Sequence, residues 1–130
     1  YYQHAVSSKN DLILAIIEKS SNKHVGNISL QNINWIDRSA EYAVVIGDKT
    51  VWGKGVGIEA SKLILRHGFR ELNLHRIYCG TSAENEGMKK LAKTMGMREE
   101  GCRRQSIFKH GRYIDILEFG MLASEFKAEG

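Results

Sequence analysis

The stretch Val51-Trp52-Gly53-Lys54-Gly55-Val56-Gly57 decides the fold, because an apolar run ends before it and an amphipathic run follows it. The preceding run is Tyr42-Ala43-Val44-Val45-Ile46, and the following run is Ile58 to Leu65. This order predicts a strand, a glycine loop and a helix. Three glycines at alternate positions leave backbone N–H groups open to a ligand at a helix N-terminus, where the helix dipole favours an anion. The stretch therefore predicts a phosphate or pyrophosphate site.

Better-known phosphate-binding loops fit this stretch poorly. Its Gly-x-Gly-x-Gly spacing lacks the third glycine position of the dinucleotide fingerprint. Ile58-Glu59 stands where a phosphate-loop kinase would need Lys-Ser or Lys-Thr. A purely structural role, in which the glycines serve a tight turn and close helix packing, stays open at this point.

Periodicity and turn residues predict the order of elements along the chain. The N-terminal Tyr1 to Asn10 has no clear period and is predicted to be a loop or a ragged end. The predicted strands are Asp11 to Glu18, Val25 to Leu30, Ser39 to Ile46, Arg76 to Thr81, Arg103 to Phe108 and Tyr113 to Leu122, and the predicted helices are Ile58 to Glu71 and Glu84 to Met95. The first two strands, and the last two, are predicted to form hairpins. The pattern supports an α/β or α+β domain.

Four motifs, taken in order, resemble the GNAT superfamily of acyl-CoA N-acyltransferases, in particular its branch of ribosomal-protein N-terminal acetyltransferases. Trp52 to Ala60 is similar to the pyrophosphate loop of that branch, and Phe69 to Ile77 is similar to its helix end and following strand. The segment from Asn85 to Met97 is similar to the family's Asn-x-x-Ser helix that ends in Gly-Phe. Glu100-Gly101 and Asp115 match the closing hairpin of the branch.

The resemblance implies an α/β (α+β) fold with a mixed, mostly antiparallel sheet, a splayed parallel strand pair and helices packed on both faces. Residues 1–130 would form one acyl-CoA N-acyltransferase domain that lacks the family's first strand and first two helices. In the family those helices form one wall of the acceptor site. The identity of the acceptor is therefore not readable from this sequence.

Acetyl-CoA is the cosubstrate that the resemblance implies. Its phosphates would bind the glycine loop, and its pantetheine arm would lie in the gap between the splayed strands. The implied coenzyme contacts are Val44, Val45, Ile46, Trp52, Gly53, Lys54, Gly55, Val56, Gly57, Asn85 and Lys93. A solvated helix face accounts for Lys93 equally well, and an N-cap role accounts for Asn85.

The implied reaction is direct transfer of an acetyl group to a primary amine, either a protein N-terminus or a small amine such as an amino sugar. The candidate catalytic residues are Glu41 and Asn85. Glu41 is the only carboxylate in the strand that enters the glycine loop, which makes it the predicted general base. The alternative is a strand-edge Glu that faces solvent or is paired with Arg38. Cys79 and Cys102 have no nearby His-Asp signature and are not predicted to be nucleophiles. Both are expected to be free thiols.

The sequence departs from the family pattern at two positions where a proton donor is expected. Met88 stands where the branch often has Ser, and Ala92 stands where many members carry Tyr. Neither side chain can donate a proton to the leaving thiolate. A catalytically weak or regulatory coenzyme-binding relative, and an unrelated nucleotide-phosphate binder, therefore stay open as alternatives. Asp115 is predicted to be structural or to orient the acceptor.

Charge and composition limit the classes of partner that the protein is expected to bind. The 130 residues carry a formal net charge of +4, with a pI of about 9.1. The positive residues are interspersed with acidic ones, as in Arg98-Glu99-Glu100, which argues against a nucleic-acid partner. No tract approaches the ~20 apolar residues that span a bilayer, so no membrane partner is expected. We predict a cytoplasmic monomer or homodimer without a metal.

Overall fold

A computed structural model describes residues 5–7, 10–18, 22–47 and 55–126. The strands are β1 (Ala5–Ser7), β2 (Leu12–Glu18), β3 (Lys23–Asn34), β4 (Ser39–Ile46), β5 (Arg76–Ser82), β6 (Arg98–Lys109) and β7 (Arg112–Leu122). The helices are α1 (Val56–Arg66) and α2 (Glu86–Thr94), with a π-helical turn at His67–Glu71 and a 3-10 turn at Ala123–Glu125. These strands form one sheet in the order β1-β2-β3-β4-β5-β7-β6, in which the β4–β5 pair is parallel and the other neighbours are antiparallel. The predicted fold class is confirmed.

The hydrophobic core lies between one face of this sheet and both helices. The Tyr42 hydroxyl on β4 is hydrogen-bonded to the Ser61 hydroxyl on α1, and the Cys79 thiol on β5 contacts the Met97 sulfur after α2 at 3.8 Å. The same cluster contains Ala60, Leu91 and inward-facing residues of the strands. Among the described residues, therefore, both helices pack on one face, whereas helices on both faces were expected.

The topology explains why the two helices share a face. The strand order makes β5 parallel to β4, and β6 parallel to β5 with β7 between them. Both helical crossovers run in the same direction along the sheet, and right-handed crossovers in one direction place their helices on the same side. The opposite face carries the other alternate residues of β4, among them Glu41 and Val45.

The parallel strands β4 and β5 separate soon after they meet. Their register contains only Ser39 with Arg76, Ala40 with Ile77, and Glu41 with Tyr78. Beyond this point β4 stays paired with β3, and β5 stays paired with β7. A gap therefore opens between them, so that the predicted splayed pair is confirmed.

Several element limits differ from the sequence prediction. The N-terminal segment predicted as a loop contains β1, which pairs antiparallel with β2 and is too short to show a period. A short strand therefore directly precedes β2, and the absence of the family's first strand stays a prediction. α1 begins at Val56, and its last predicted turn is the π-helical His67–Glu71. β6 begins at Arg98 rather than Arg103, since bulges in its register hide the alternation.

Asp115 has a structural role in the closing hairpin. Its carboxylate accepts a hydrogen bond from the Gln105 N–H at 2.8 Å. Gln105 has a φ of 51° and lies in the β6 bulge between Arg103 and Ile107. The Asp115 side chain thus holds the bulge in place, and this is the structural role that was one of its two predicted roles. The hairpin turns at His110 and Gly111, whose φ values of 55° and 76° suit a type I′ turn.

Candidate active site

The N-terminus of α1 presents backbone donors that the helix does not use. Gly55 is the N-cap with a φ of 78°, and no side chain of the described residues makes a capping hydrogen bond there. The first helical bond runs from the Glu59 N–H to the Gly55 carbonyl at 2.9 Å. The N–H groups of the preceding first-turn residues 56–58 therefore have no partner within the helix. Trp52, Gly53 and Lys54, which were predicted to contact the coenzyme, lie outside the described residues.

A cavity of about 290 Å³ lies between the N-terminus of α1 and one side of α2. The residues that line it are Gly55, Gly57, Ile58, Gly87, Lys90, Leu91 and Thr94. N–H donors that the helix does not use, the helix dipole and the Lys90 ammonium group together favour an anion there. Val56 is buried in the core, so that only its backbone can reach a ligand.

The cavity is lined by a lysine that was not one of the two predicted lysine contacts, Lys54 and Lys93. Both lysines are exposed, but Lys90 lines the cavity, whereas Lys93 lines only a neighbouring depression with Glu86, Lys89, Lys90 and Thr94. Lys89 is ion-paired with Glu86 at 2.6 Å. Gly87 and Lys90 lie one helical turn apart on the same side of α2, and this i, i+3 spacing could have identified them. The coenzyme role of Lys93 stays a prediction.

Asn85 caps the N-terminus of α2. Its side-chain oxygen accepts a hydrogen bond from the Met88 N–H at 3.0 Å, and the side chain is exposed. The alternative N-cap role is therefore present in the structure. Met88 and Ala92 are buried in the core. The catalytic and coenzyme roles of Asn85 stay predictions.

The open edge of β4 borders the gap between the splayed strands. The Gly47 N–H donates to the Val25 carbonyl at 3.0 Å, and backbone groups in an antiparallel pair alternate between the two sides of a strand. Val44 and Ile46 therefore point their backbone N–H and C=O groups away from β3 and towards the gap. Val45 directs its backbone to β3, and its side chain is 65% exposed. Of the three predicted contacts, two border the gap with their backbones.

Glu41 lies at the mouth of the gap, on the face of the sheet opposite the helices. It is half-buried and accepts a hydrogen bond from the Asn32 amide at 3.2 Å. A bulge in β3 between Gln31 and Asn34 places Asn32 for this contact. Arg38 does not pair with Glu41: its guanidinium donates instead to the Asn73 carbonyl at 2.8 Å. The alternative pairing of Glu41 with Arg38 is wrong.

Charged side chains surround Glu41 in a pocket of about 340 Å³. Its lining consists of Glu41, Arg76, Tyr78, Cys79, Gly80, Glu100, Arg103, Glu118 and Phe119. The Arg103 guanidinium binds Glu118 at 2.7 Å, and the Arg76 guanidinium binds both oxygens of Glu100 at 2.7 and 2.5 Å. Within the described part of the chain, Glu41 is thus the one carboxylate of the pocket that no arginine holds.

Electrostatics and register add two facts about this pocket. Hydrogen bonds from Arg76 hold the pKa of Glu100 below its usual range, and the same bonds raise the pKa of Arg76. Tyr78, which was not singled out from the sequence, is the register partner of Glu41 and lines the pocket with it. No sequence signal could have identified Tyr78, because the register of two parallel strands is not encoded by a local pattern.

The two cysteines are free thiols, as predicted, and they lie in different environments. Cys79 is buried, and burial, with a smaller contribution from the charge of Glu41, raises its pKa to about 12. It is therefore a neutral thiol at pH 7 and a poor nucleophile. Cys102 is exposed on β6. Among the described residues no cluster of three or more His, Cys, Asp or Glu side chains could hold a metal ion, and no helix is long and apolar enough to span a membrane.

The splayed strands and the glycine-flanked start of α1 define a GNAT-type domain. The chain belongs to that family, since the Acetyltransferase (GNAT) domain matches residues 1–98. A spermidine N(1)-acetyltransferase of Vibrio cholerae is 32% identical over 111 residues, which are 85% of this chain and 64% of the relative. YdaF of Bacillus subtilis, provisionally named a ribosomal N-acetyltransferase, is 30% identical over 104 residues, which are 80% of this chain and 56% of the relative.

Solved structures of the Vibrio cholerae spermidine N-acetyltransferase share this fold. One, in complex with CoA and spermine, has a TM-score of 0.83 and 30% identity, and the match covers 90% of this chain and 68% of that chain. Another, described as dodecameric, has a TM-score of 0.82 at the same identity. The chain thus spans about two thirds or less of the length of these relatives.

Proposed function

We propose that this chain transfers an acetyl group from acetyl-CoA directly to a primary amine. The observation that carries the proposal is the separation of β4 and β5 immediately beyond Glu41 and Tyr78. It provides a cleft bordered by backbone groups that β3 does not bind, with a helix start that favours an anion at one end and, at the other, a carboxylate that no described arginine holds. A general phosphate binder would need only the helix start.

Each part of the cleft suits one requirement of the transfer. The N–H groups at residues 56–58 and the Lys90 ammonium bind the coenzyme phosphates. The open edge of β4 at Val44 and Ile46 binds the pantetheine arm by strand-like hydrogen bonds. A backbone N–H of that edge donates to the thioester carbonyl oxygen as negative charge develops there. Bound acetyl-CoA supplies the acetyl thioester.

Glu41 removes the proton that blocks the reaction, because an amine is mostly protonated at neutral pH. It accepts this proton directly or through a water molecule, and the neutral nitrogen then attacks the thioester carbonyl carbon. The C–N bond forms, the C–S bond breaks, and the electron pair leaves on sulfur. Met88 and Ala92 carry no acidic proton, so the thiolate is protonated by water or by the proton released from the nitrogen.

A small polyamine is the first acceptor to test. The pocket around Glu41 contains three carboxylates and two guanidiniums, which gives it a net negative charge that favours a cation. The names of the spermidine N-acetyltransferase relatives support the same choice. The ribosomal-protein N-terminal branch, which the motifs predicted, makes a protein N-terminus the second acceptor to test, and the similarity to YdaF supports it. Oligomeric state, cytoplasmic location and the lack of a metal stay predictions.

The test is release of free CoA thiol from acetyl-CoA with a panel of amines. The panel contains spermidine, n-butylamine, glucosamine and a peptide with a free N-terminus. Amine-dependent thiol release, with the acetylated amine identified by mass spectrometry, is the expected result. Binding of acetyl-CoA without thiol release for any amine would support the regulatory alternative that Met88 and Ala92 keep open. Failure to bind acetyl-CoA would contradict both.

A further inference from the structure

We propose that Arg76 is a specificity-determining residue, which sets the charge that the acceptor pocket presents to a cationic amine while Glu100 holds it neutralised. This inference rests on the proposed function, because it concerns the same acceptor site. Arg76 lies at the start of β5, two residues before Tyr78, and its side chain lines the pocket that contains Glu41.

The Arg76–Glu100 pair crosses a whole strand. Arg76 is on β5 and Glu100 is on β6, and β7 lies between these two strands. The guanidinium nevertheless donates to both oxygens of the carboxylate, at 2.7 and 2.5 Å. Two-point binding fixes the orientation of both groups, unlike a contact with a single ammonium.

A bulge and a glycine make the crossing possible. The register of β6 shifts between Glu99 and Gly101, so that Glu100 occupies the bulge. Its carboxylate then lies directly over Gly120 on β7. A Cβ at Gly120 would lie 2.5 Å from both carboxylate oxygens, which is closer than any real contact. With the carboxylate in this position, glycine at 120 leaves the path open without any shift of the Glu100 side chain.

The second ion pair makes Glu41 the available carboxylate. Arg103 binds Glu118 at 2.7 Å, so two of the three pocket carboxylates are matched by two guanidiniums. Glu41 instead accepts from the uncharged Asn32 amide. The pocket thus presents one net negative charge, centred on the predicted base, which suits one ammonium group at a time.

Tyr78 lies beside both Arg76 and Glu41. The Arg76 guanidinium carbon lies 5.4 Å from the centre of the Tyr78 ring, within the range of a cation–π contact. Tyr78 is the register partner of Glu41. Arg76 therefore adjoins the acceptor position, where a change in its pairing alters the field that an incoming cation meets.

The two single substitutions change the net charge of the acceptor pocket in opposite directions. Arg76→Gln removes a positive charge and frees the Glu100 carboxylate, so that the pocket gains a second available anion. A polyamine should then bind more tightly relative to a monoamine. Glu100→Gln frees the guanidinium, which repels every cationic acceptor. The double variant Arg76→Gln/Glu100→Gln restores the net charge of the pocket.

The experiment measures dissociation constants for spermidine and n-butylamine by calorimetry on the CoA-bound protein, and KM values where thiol release is seen. Because the pair is partly exposed, we expect roughly three- to five-fold changes. In Arg76→Gln, the dissociation constant of spermidine should fall by this factor relative to the change for n-butylamine. Both amines should bind more weakly to Glu100→Gln. The dissociation constants of the double variant should lie within about two-fold of those of the unsubstituted protein.

A matched control is Arg112→Gln, which breaks an arginine–carboxylate contact of 2.5 Å to Glu84 outside the acceptor pocket. It should leave both amine affinities unchanged. Unchanged or weaker spermidine binding in Arg76→Gln, or a double variant that is worse than both singles, would overturn the inference. If no amine is acetylated but the affinities shift as stated, the proposed function fails and the role of Arg76 stands. If amines are acetylated but the affinities do not shift, the role of Arg76 fails and the proposed function stands.

Discussion

Glu41 and Tyr78 form the last pair in the parallel register of β4 and β5, and the two strands separate beyond them. The predicted base therefore lies where the cleft begins, on the face of the sheet that the helices leave open. The backbone donors that we propose bind the coenzyme phosphates lie past the other end of β4, at the start of α1. In the proposed function, this arrangement would bring the coenzyme arm and the acceptor together at one point of the sheet.

The first prediction concerns Gly57, which is buried and lines the cavity between α1 and α2. A valine side chain at this position should occupy the cavity, so Gly57→Val is expected to weaken acetyl-CoA binding roughly ten-fold or more. Each ten-fold loss of affinity corresponds to about 1.4 kcal/mol of binding free energy. Calorimetry on the folded variant measures this.

Gly55→Ala is the matched control for Gly57→Val. Gly55 has a φ of 78°, but an added Cβ would meet nothing within 4 Å. The variant should therefore lose about 1 kcal/mol of stability to backbone strain and keep most of its acetyl-CoA affinity. Equal affinity in Gly57→Val and the unsubstituted protein would remove this cavity from the coenzyme site.

The second prediction concerns the buried hydrogen bond between Tyr42 and Ser61, which joins β4 to α1. Tyr42→Phe and Ser61→Ala each leave one buried hydroxyl without its partner, so each should lower the free energy of unfolding by about 1–3 kcal/mol. The double variant should lose less than the sum of the two. Urea denaturation measures all three, and strict additivity would contradict a direct bond.

The third prediction concerns stability at alkaline pH. Burial raises the pKa of Cys79 to about 12, and burial also raises the pKa of Tyr42 well above its usual value. A group whose pKa is raised on folding stabilises the native state fully below its unfolded pKa, about 8.5 for Cys and about 10 for Tyr. Stability should therefore decline as the pH rises above about 8.5.

Thermal unfolding between pH 7 and 11 tests this decline. Cys79→Ala should reduce the loss of stability between about pH 8.5 and 10, since the buried thiol is gone. Cys102→Ser should lose nearly as much stability with rising pH as the unsubstituted protein does, because Cys102 is exposed. A Cys79→Ala variant with the same pH dependence as the unsubstituted protein would show that this thiol is not buried in solution.

The fourth prediction separates structure from catalysis at Asp115. Asp115→Ala removes the acceptor for the Gln105 N–H and should lower stability by about 1–2 kcal/mol. Asp115→Asn keeps a side-chain oxygen in the same place and should lose less. Both variants should keep their kcat. A large fall in kcat at unchanged stability would instead make Asp115 a catalytic residue.

Local patterns were sufficient to predict the elements around the coenzyme site. The glycine spacing predicted the start of α1, and alternation predicted β4 and the closing hairpin. Asn85 was recognised as a cap because N-capping depends on residues adjacent in sequence. β1 was missed, because three residues of backbone pairing leave no periodic signal.

Contacts between distant parts of the chain could not be predicted from the sequence. Arg38 is close to Glu41 in sequence, yet it bonds to Asn73, which lies 35 residues away. Arg76 and Glu100 meet across β7, where the bulge at Glu100 and the missing side chain at Gly120 leave room for the contact. Such pairs depend on strand order and register, which tertiary packing decides.

The substitution Glu41→Gln tests the assignment of the general base. It keeps the size of the side chain and an oxygen for the Asn32 amide, but it cannot accept the ammonium proton. Glu71→Gln, an equivalent change at an exposed position of the π-helical turn, is the matched control and should leave activity unchanged.

The most direct measurement is kcat/KM for the best amine from pH 6 to 9, alongside acetyl-CoA affinity, in the unsubstituted protein and in Glu41→Gln. We predict that Glu41→Gln lowers kcat/KM by ~10²-fold or more, the usual range for loss of a general base, and binds acetyl-CoA normally. Near-normal activity of Glu41→Gln across this pH range would contradict the account and leave Glu41 as a side chain that only borders the pocket.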